Sequence, residues 1–386
     1  MTHRPDYTLS EELLEHLTEE GLDALPEMIR IVINSAMQAE RLKYLGVDAP
    51  YERSSERADQ ANGYKPKSVK TRAGEITFAV PQVRGGDFYP GALEKGLRSE
   101  RALTLALAEM YVQGVSTRKV AAITEKLCGT SVSSTQVSRA SAQLDQALEG
   151  WRNRPLSECP YLILDARYEK VRQDGQVRDA AVLTAIGISR SGRRQMLGVS
   201  LSLSEAEVHW RGFLQSLVSR GLGGVRLIVS DAHEGLTAAR KAVFGGVGWQ
   251  RCQFHLQQNA QAYVPRQDMK GEVAADIRAI FNSASLDDAK LMLDRVVRKY
   301  EKSASRLANW LENNILQGLT VFALPQAHWR LLRTTNGLER VNEEIRRRTR
   351  VVGIFPNEGS CLRLVTAILM EISDDWETGR VYLTFD

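Results

Sequence analysis

The second half of the chain predicts an α/β fold, a mixed sheet flanked by helices, on three observations. Short apolar runs at 161–164 and 225–229 end in Asp165 and in Ser230-Asp231. Turn signals at Asp174-Gly175 and Ser191-Gly192 separate strand-like stretches at 179–188 and 195–203, which makes two adjacent hairpins. Helix-like segments at 204–218 and 234–243 then alternate with strand-like pieces at 225–229 and 249–252, the pattern that parallel strands require. Outside 161–255 the patterns are mainly helical, so a helical N-terminal region and an all-helical insertion accompany this core.

The 386 residues suffice for two or three domains with their own cores. No apolar run approaches the ~18 residues of a membrane span. Residues 1–20 have neither the basic start nor the apolar core of a signal peptide. Cys128, Cys159, Cys252 and Cys361 lie far apart with no Cys-x-x-Cys pair, which fits a reducing cytoplasm and argues against a disulfide framework or zinc finger. The net charge of +4 hides an asymmetry: residues 1–28 carry eight acids against Arg4 alone, so the remainder is near +11. A basic body of this kind points to a polyanionic partner, nucleic acid.

Leu13, Leu14, Leu17, Leu22, Leu25, Ile29, Val32, Ile33 and Met37 mark 9–45 as helical, with Pro26 splitting the stretch in two. Segment 1–48 thus reads as a helical hairpin packing on a neighbour or on a second copy. Residues 49–98 turn to Gly, Pro, Ser and basic types, with a strand-like 76–80 after the Ala73-Gly74 turn. There Lys65, Lys67, Lys70 and Arg72, beside Tyr64, form a loose basic stretch that either grips phosphates or is a solvated linker with a small hairpin. Helices return in 99–150: one over 101–113, one capped at Ser116 or Thr117, a turn at Gly129, and one capped by Ser133 or Ser134. The last two have the outline of a helix-turn-helix, although many helical hairpins share it. Arg118 and Lys119 on the first, and Ser134, Gln136, Ser138 and Arg139 on the second, are the candidate DNA contacts. Pro155 and Pro160 place the main boundary at 151–160.

From there the order strand, strand, strand, helix, strand, helix, strand is the ribonuclease-H-like one, an antiparallel edge on a parallel half, over 151–255. In that order the first and fourth strands are neighbours, so Asp165 and Asp231 stand side by side at the two strand tips. Two close carboxylates repel and one pKa rises; a divalent cation removes the conflict, and hard oxygen ligands suit Mg2+. Residues 256–332 repeat helical spacing through Val273, Ile277 and Ile280, then Leu293 and Val296, then Leu307 and Leu311, as an all-helical insertion. In 333–386, Thr335 or Asn336 caps a helix on which Glu339, Asn342, Glu343 and Arg346 share a face. Arg346, Arg347, Arg348 and Arg350 follow as dense positive charge, facing either solvent or phosphates.

The segments LILDARYEKVR, VSDAHEGL, WQRCQFH and NGLERVNEEIRRRTRVVGIFPNEGSCLRLVTAIL resemble the IS256 group of bacterial insertion-sequence transposases, relatives of the Mutator transposases. GYKPKSVKTRAGE and GVSTRKVAAITEKLCGTSVS extend the resemblance to essentially the whole chain. It implies a DDE triad of Asp165, Asp231 and Glu339, the Glu following the all-helical insertion, with Glu343 as a reserve ligand. Cys252 and His255 match a signature shared with related transposases; they either bind Zn2+ or pack beside Asp231.

The implied chemistry is phosphoryl transfer with two Mg2+ ions, with Mn2+ as a substitute, held by the three acids. Water frees a 3′-OH at the element's end, and that hydroxyl attacks target DNA. The implied partners are double-stranded DNA, as terminal inverted repeats and as target, and a second copy in a homo-oligomer, expected to be a dimer through the 9–45 helices. No membrane is expected, and the expected place is the bacterial cytoplasm, at the nucleoid. Two other readings stay open: a catalytically inactive, repressor-like DNA-binding relic, and a nuclease that cleaves without joining. Trp210 and Trp249 are either core or DNA-stacking residues.

Overall fold

Residues 61–83 fold as an antiparallel hairpin, β1 (Ala61–Thr71) and β2 (Gly74–Val83), turned at Arg72-Ala73. The structure is a computed structural model and describes residues 19–48, 52, 57–86, 88–93, 95, 99–129 and 131–385. The chain divides into two compact units, Met1–Gln143 and Leu144–Asp386.

In the first unit, the small hairpin expected in the basic region is present, and the stretch expected as loose basic loop is one of its strands. Its period-two pattern is hard to read because β1 buries only Val69, while Ile76, Phe78 and Val80 of β2 bury against Ile33 and Met37 of the helix Leu25–Leu45. Pro26 does not split that helix. It sits in the first turn, where its missing N–H goes unused, after a 3-10 turn at Gly21–Ala24. The expected helical positions Leu13, Leu14 and Leu17 lie outside the described residues. The helices Arg101–Val112, Thr117–Cys128 and Ser134–Ala142 follow. Ser116 caps the second through the Lys119 N–H, and Gly129 ends it in the left-handed conformation (φ 61°). Ser133 and Gln136 form a reciprocal capping box at the start of the third.

The division between the units falls earlier than the 151 read from the prolines. The helix Asp145–Arg152 therefore belongs to the second unit, where Asp145 pairs with Arg363 at 2.6 and 2.8 Å.

That second unit is built on a five-stranded mixed sheet flanked by helices. Its strands β3 (Tyr161–Gln173), β4 (Gln176–Ile188), β5 (Arg194–Ser202), β6 (Leu227–Ser230) and β7 (Gly248–Arg251) lie in the order β5-β4-β3-β6-β7. β3, β4 and β5 are antiparallel; β6 runs parallel to β3, and β7 to β6. Asp174 and Gly175, both at positive φ, make the two-residue turn between β3 and β4. Leu162, Leu164, Leu183 and Leu197 form one core with Trp210, Phe213, Leu214 and Leu217 of the helix Glu207–Ser219 and with Leu236 and Ala239 of the helix Glu234–Val243. Residues of the opposite parity, Ile163 and Ile186, are buried too, so both faces of the sheet are covered. The helix Glu358–Thr378 packs along β5 and β3.

Between β7 and the helix Asn336–Thr349 stand the helices Gln253–Ala260, Lys270–Phe281, Leu286–Tyr300, Ser305–Asn314 and Gln326–Leu332. Most of this block closes a core of its own around Leu256, Ile277, Leu293 and Leu311. No helix among the described residues is long and apolar enough to cross a membrane.

Candidate active site

Asp165 does not end its strand. β3 pairs with β6 only as far as Ile163–Val229, but continues against β4 to Gln173. Asp165 therefore stands where the parallel half of the sheet stops and the hairpin goes on alone. Continuing the β3–β6 register by two residues sets it level with Asp231, the residue after β6. Burial pushes the Asp165 carboxyl up to about 6; the Ala166 N–H, His255 and Asn342 oppose that, and Asp231 adds to it. Two neighbouring parallel strands thus present two carboxylates to one place.

The third acid comes from the far side of the helical insertion. Leu338, Val341 and Ile345 bury one face of the helix Asn336–Thr349, and Asn342, three residues after Glu339, turns toward β3. Asn342 Nδ2 donates to Asp165 Oδ2 at 2.8 Å. Arg167 donates to the Asn342 carbonyl and pairs with Glu169 at 2.6 Å, while Thr349 donates to Glu169 at 3.1 Å. Phe355 then bonds both ways with the β3 extension, its N–H to the Lys170 carbonyl and its carbonyl from the Arg172 N–H, each at 2.8 Å. The extension of β3 beyond Asp165 is the rail that fixes the Glu339 helix.

Cys252 and His255 sit at the join. The Cys252 N–H donates to the Ser230 carbonyl at 2.9 Å, and its sulfur accepts from the Thr335 amide and hydroxyl at 3.4 and 3.3 Å. Thr335 is thus a buried brace and not a side-chain cap for the helix it precedes. Burial drives the Cys252 thiol upward, but the bonds from His255 and Thr335 outweigh it and hold it below its ordinary value. The Cys252 sulfur, then Asp231 and Asp165, raise the His255 imidazole to about 9. These neighbours favour the protonated form of His255.

Among the described residues, no three His, Cys, Asp or Glu side chains form a group that could hold one metal ion. Neither a zinc site at Cys252 and His255 nor a closed three-carboxylate cage is therefore built in this geometry. The donor chemistry nonetheless fits a hard divalent cation. Glu339 Oε1 and Asn342 Oδ1 are buried oxygens with no hydrogen-bond partner, and they accompany a desolvated Asp165 with Asp231 beside it.

The description "Transposase, Mutator family" matches residues 1–379 of this chain. The chain belongs to the Mutator family of transposases. The transposase of IS406 from Burkholderia multivorans is 57% identical over 372 residues, 96% of each chain. That of ISRM5 from Rhizobium meliloti is 46% identical over 365 residues, 94% of this chain and 91% of its own. The IS256 transposase of Tn4001 from Staphylococcus aureus is 37% identical over 387 residues, 98% of each.

A transposase of this family acts on DNA, and the candidate DNA contacts fare unequally. Lys65, Arg118, Lys119 and Arg139 are exposed, as are Arg346 and Arg350. Lys67 donates to Tyr89 at 2.8 Å, Lys70 to the Ser131 carbonyl, and Arg72 pairs with Glu100 at 2.8 Å. Gln136 Oε1 is engaged by the Ser133 N–H in the capping box. Arg347 pairs with Glu344 at 2.7 Å. Arg348 is a correction: it is buried, clamped by Glu344 at 2.7 Å and Glu371 at 2.6 Å, and is an internal tie, not a phosphate contact. Glu343 faces solvent, which removes it as a reserve ligand. Trp210 is fully buried core, and Trp249 Nε1 donates to Ser230 at 3.0 Å beneath the Arg240 guanidinium, so neither is a stacking platform. Asn342 is the site residue the sequence underplays; its only signal is the three-residue step from Glu339.

Proposed function

We propose that this chain is a DDE transposase with a ribonuclease-H-like core, in which Asp165, Asp231 and Glu339 are the catalytic acids. One observation carries the reading: neighbouring parallel strands bring Asp165 and Asp231 level, and the Asn342–Asp165 bond ties the Glu339 helix to that point. Asp165, Asp231 and Glu339 would hold Mg2+, with Mn2+ as substitute, in two ions. When bound, the cations lower the cost of negative charge on the attacking and leaving oxygens of a phosphodiester.

The chain's own residues set up the rest. Asn342 orients Asp165 by donating to one of its oxygens, together with the Ala166 N–H. His255 keeps a proton beside the two carboxylates and so supplies the positive charge that lets both stay close. In the first step a water oxygen bonds to phosphorus, the bond from phosphorus to the 3′ oxygen breaks, and that oxygen leaves as a 3′-OH with the water's second proton passing to solvent. In the second step the 3′-OH bonds to a target phosphorus and displaces another 3′ oxygen. One phosphodiester is broken for each one made, so joining needs no external energy and no covalent protein–DNA bond.

The substrates are the terminal inverted repeats and a target duplex. Exposed Arg118, Lys119 and Arg139 are the side chains proposed to grip the repeats, and a dimer would pair two ends. The test is a strand-transfer assay with pre-cleaved ends and Mg2+. Joining lost in Asp165→Ala, Asp231→Ala and Glu339→Ala, with end binding kept, is the expected result. Joining that survives any of them removes that residue from the set.

A further inference from the structure

A polar cavity of about 180 Å³ lies within the second unit. Phe254, Gln257, Arg278, Asn282, Arg333 and Asn336 are among its lining residues. Two of its lining residues neighbour residues of the site. Phe254 meets the edge of His255, ring centroids 5.5 Å apart, and Asn336 opens the helix that carries Glu339.

The lining has a definite chemistry. Phe254 is 52% exposed, and of the nine phenylalanines it alone falls among the exposed residues. One exposed ring by itself means little; its surroundings decide. Among the described residues no carboxylate lines the cavity, while two guanidiniums do. Asn282 Oδ1 holds Arg333 Nη1 at 2.9 Å, which steadies that side chain and leaves its other donors free. Asn336 and Gln257 add amide donors and acceptors. A flat aromatic face, two cations and several amides make a receptor for a planar heterocycle attached to phosphate. The space suits one base and is too small for a base pair.

We propose that this cavity takes one unstacked nucleobase of the DNA strand whose phosphate lies at the acid site. The base stacks on Phe254, and Arg278 and Arg333 hold the phosphates beside it. The inference rests on the transposase reading above and deepens it: the strand is held frayed at the point of reaction, and because every base has an aromatic face the pocket reads no sequence.

The test uses the full chain without divalent cation and a short single-stranded oligonucleotide carrying one 2-aminopurine, followed by its fluorescence. Wild-type protein is expected to bind it, Phe254→Trp to keep the affinity, and Phe254→Leu to lose roughly tenfold, the scale of one lost base stack. An oligonucleotide of equal length made of abasic residues should bind wild type and Phe254→Leu alike. Arg278→Ala, at an exposed position, should weaken binding to both oligonucleotides and lower the salt slope by about 1. Equal affinity of Phe254→Leu and wild type for the base-bearing strand overturns the proposal, as does an equal loss on the abasic one. Equal binding of a free mononucleotide overturns it in favour of a nucleotide site. These readouts need no catalysis, so a wild-type protein that binds the strand in this way yet never joins DNA in Mg2+ would count against the DDE reading alone.

Discussion

Asn342 Nδ2 and Asp165 Oδ2 are 2.8 Å apart, a bond across 177 residues of chain that joins the helix carrying Glu339 to the strand carrying Asp165. A hydrogen bond to a carboxylate is among the stronger ones, about 1.5–3 kcal/mol. Its loss would leave Asp165 held only by the Ala166 N–H and would remove one tie between β3 and the Glu339 helix. Asn342→Ala should keep end binding, lower cleavage and joining by roughly 10- to 100-fold, and raise the Mg2+ concentration needed for half-maximal rate. Full rates at an unchanged Mg2+ requirement would remove Asn342 from a positioning role.

Asp165 makes the metal-free site unstable at neutral pH. Its folded pKa of about 6 lies above the ordinary carboxylate value because it is buried. A raised pKa means that the folded state binds the proton more tightly than the unfolded one. The stability so gained is fully present below about pH 4 and is lost as pH rises through about 6. Asp165→Asn, which mimics the protonated form, should therefore stabilise the metal-free protein by about 1–2 kcal/mol at pH 7.5 while abolishing joining. The advantage should grow between pH 4 and 6 and level off above. Thermal melts in EDTA across that range decide it; a difference constant with pH would show that Asp165 is not the group responsible.

What could be read from the residues and what could not divide along physical lines. Strand order and the placing of Asp165 and Asp231 on neighbouring strands were legible, because hairpin turns such as Asp174-Gly175 and short apolar runs are local signals; the strand end expected at Asp165 is not there. The length of β3 was not. Residues 165–173 alternate polar types on a strand that holds a helix instead of a greasy layer, so their reason for being extended lies at Asn342, Thr349 and Phe355. The same applies to β1, where one buried residue hides the period. Charge was the least legible feature of all: Arg346, Arg347, Arg348 and Arg350 look equivalent in the sequence, and only folding against Glu371 separates Arg348 from the rest.

That separation can be measured. Arg348→Ala removes the shared partner of Glu344 and Glu371 from a buried position and should cost about 1–3 kcal/mol of stability, less than a fully buried pair because both acids keep solvent contact. It should leave the salt dependence of DNA binding unchanged. Arg346→Ala and Arg350→Ala should do the reverse, with near-native melting and a salt slope lower by about 1 each if each meets one phosphate. A reduced slope for Arg348→Ala would mean that its ion pairs open on DNA.

Gly235 offers the sharpest packing test near the site. It lies in the first turn of the helix Glu234–Val243, four residues beyond Asp231, and a Cβ there would stand 2.1 Å from the Glu205 carbonyl oxygen and 2.9 Å from the Glu207 nitrogen. Inside a helix, Ala is ordinarily favoured over Gly by ~1 kcal/mol. Here the obstacle is backbone, which cannot swing aside as a flexible side chain would, so the clash outweighs the propensity. Gly235→Ala should be destabilising by about 1–3 kcal/mol, a fall of several degrees in Tm. Relief comes by moving either the 205–207 turn or the helix start, and the second choice carries Asp231 with it. Joining should then fall further than stability alone accounts for at a temperature where the variant is fully folded. Native melting and native joining in Gly235→Ala would show that this approach is looser than its distances imply.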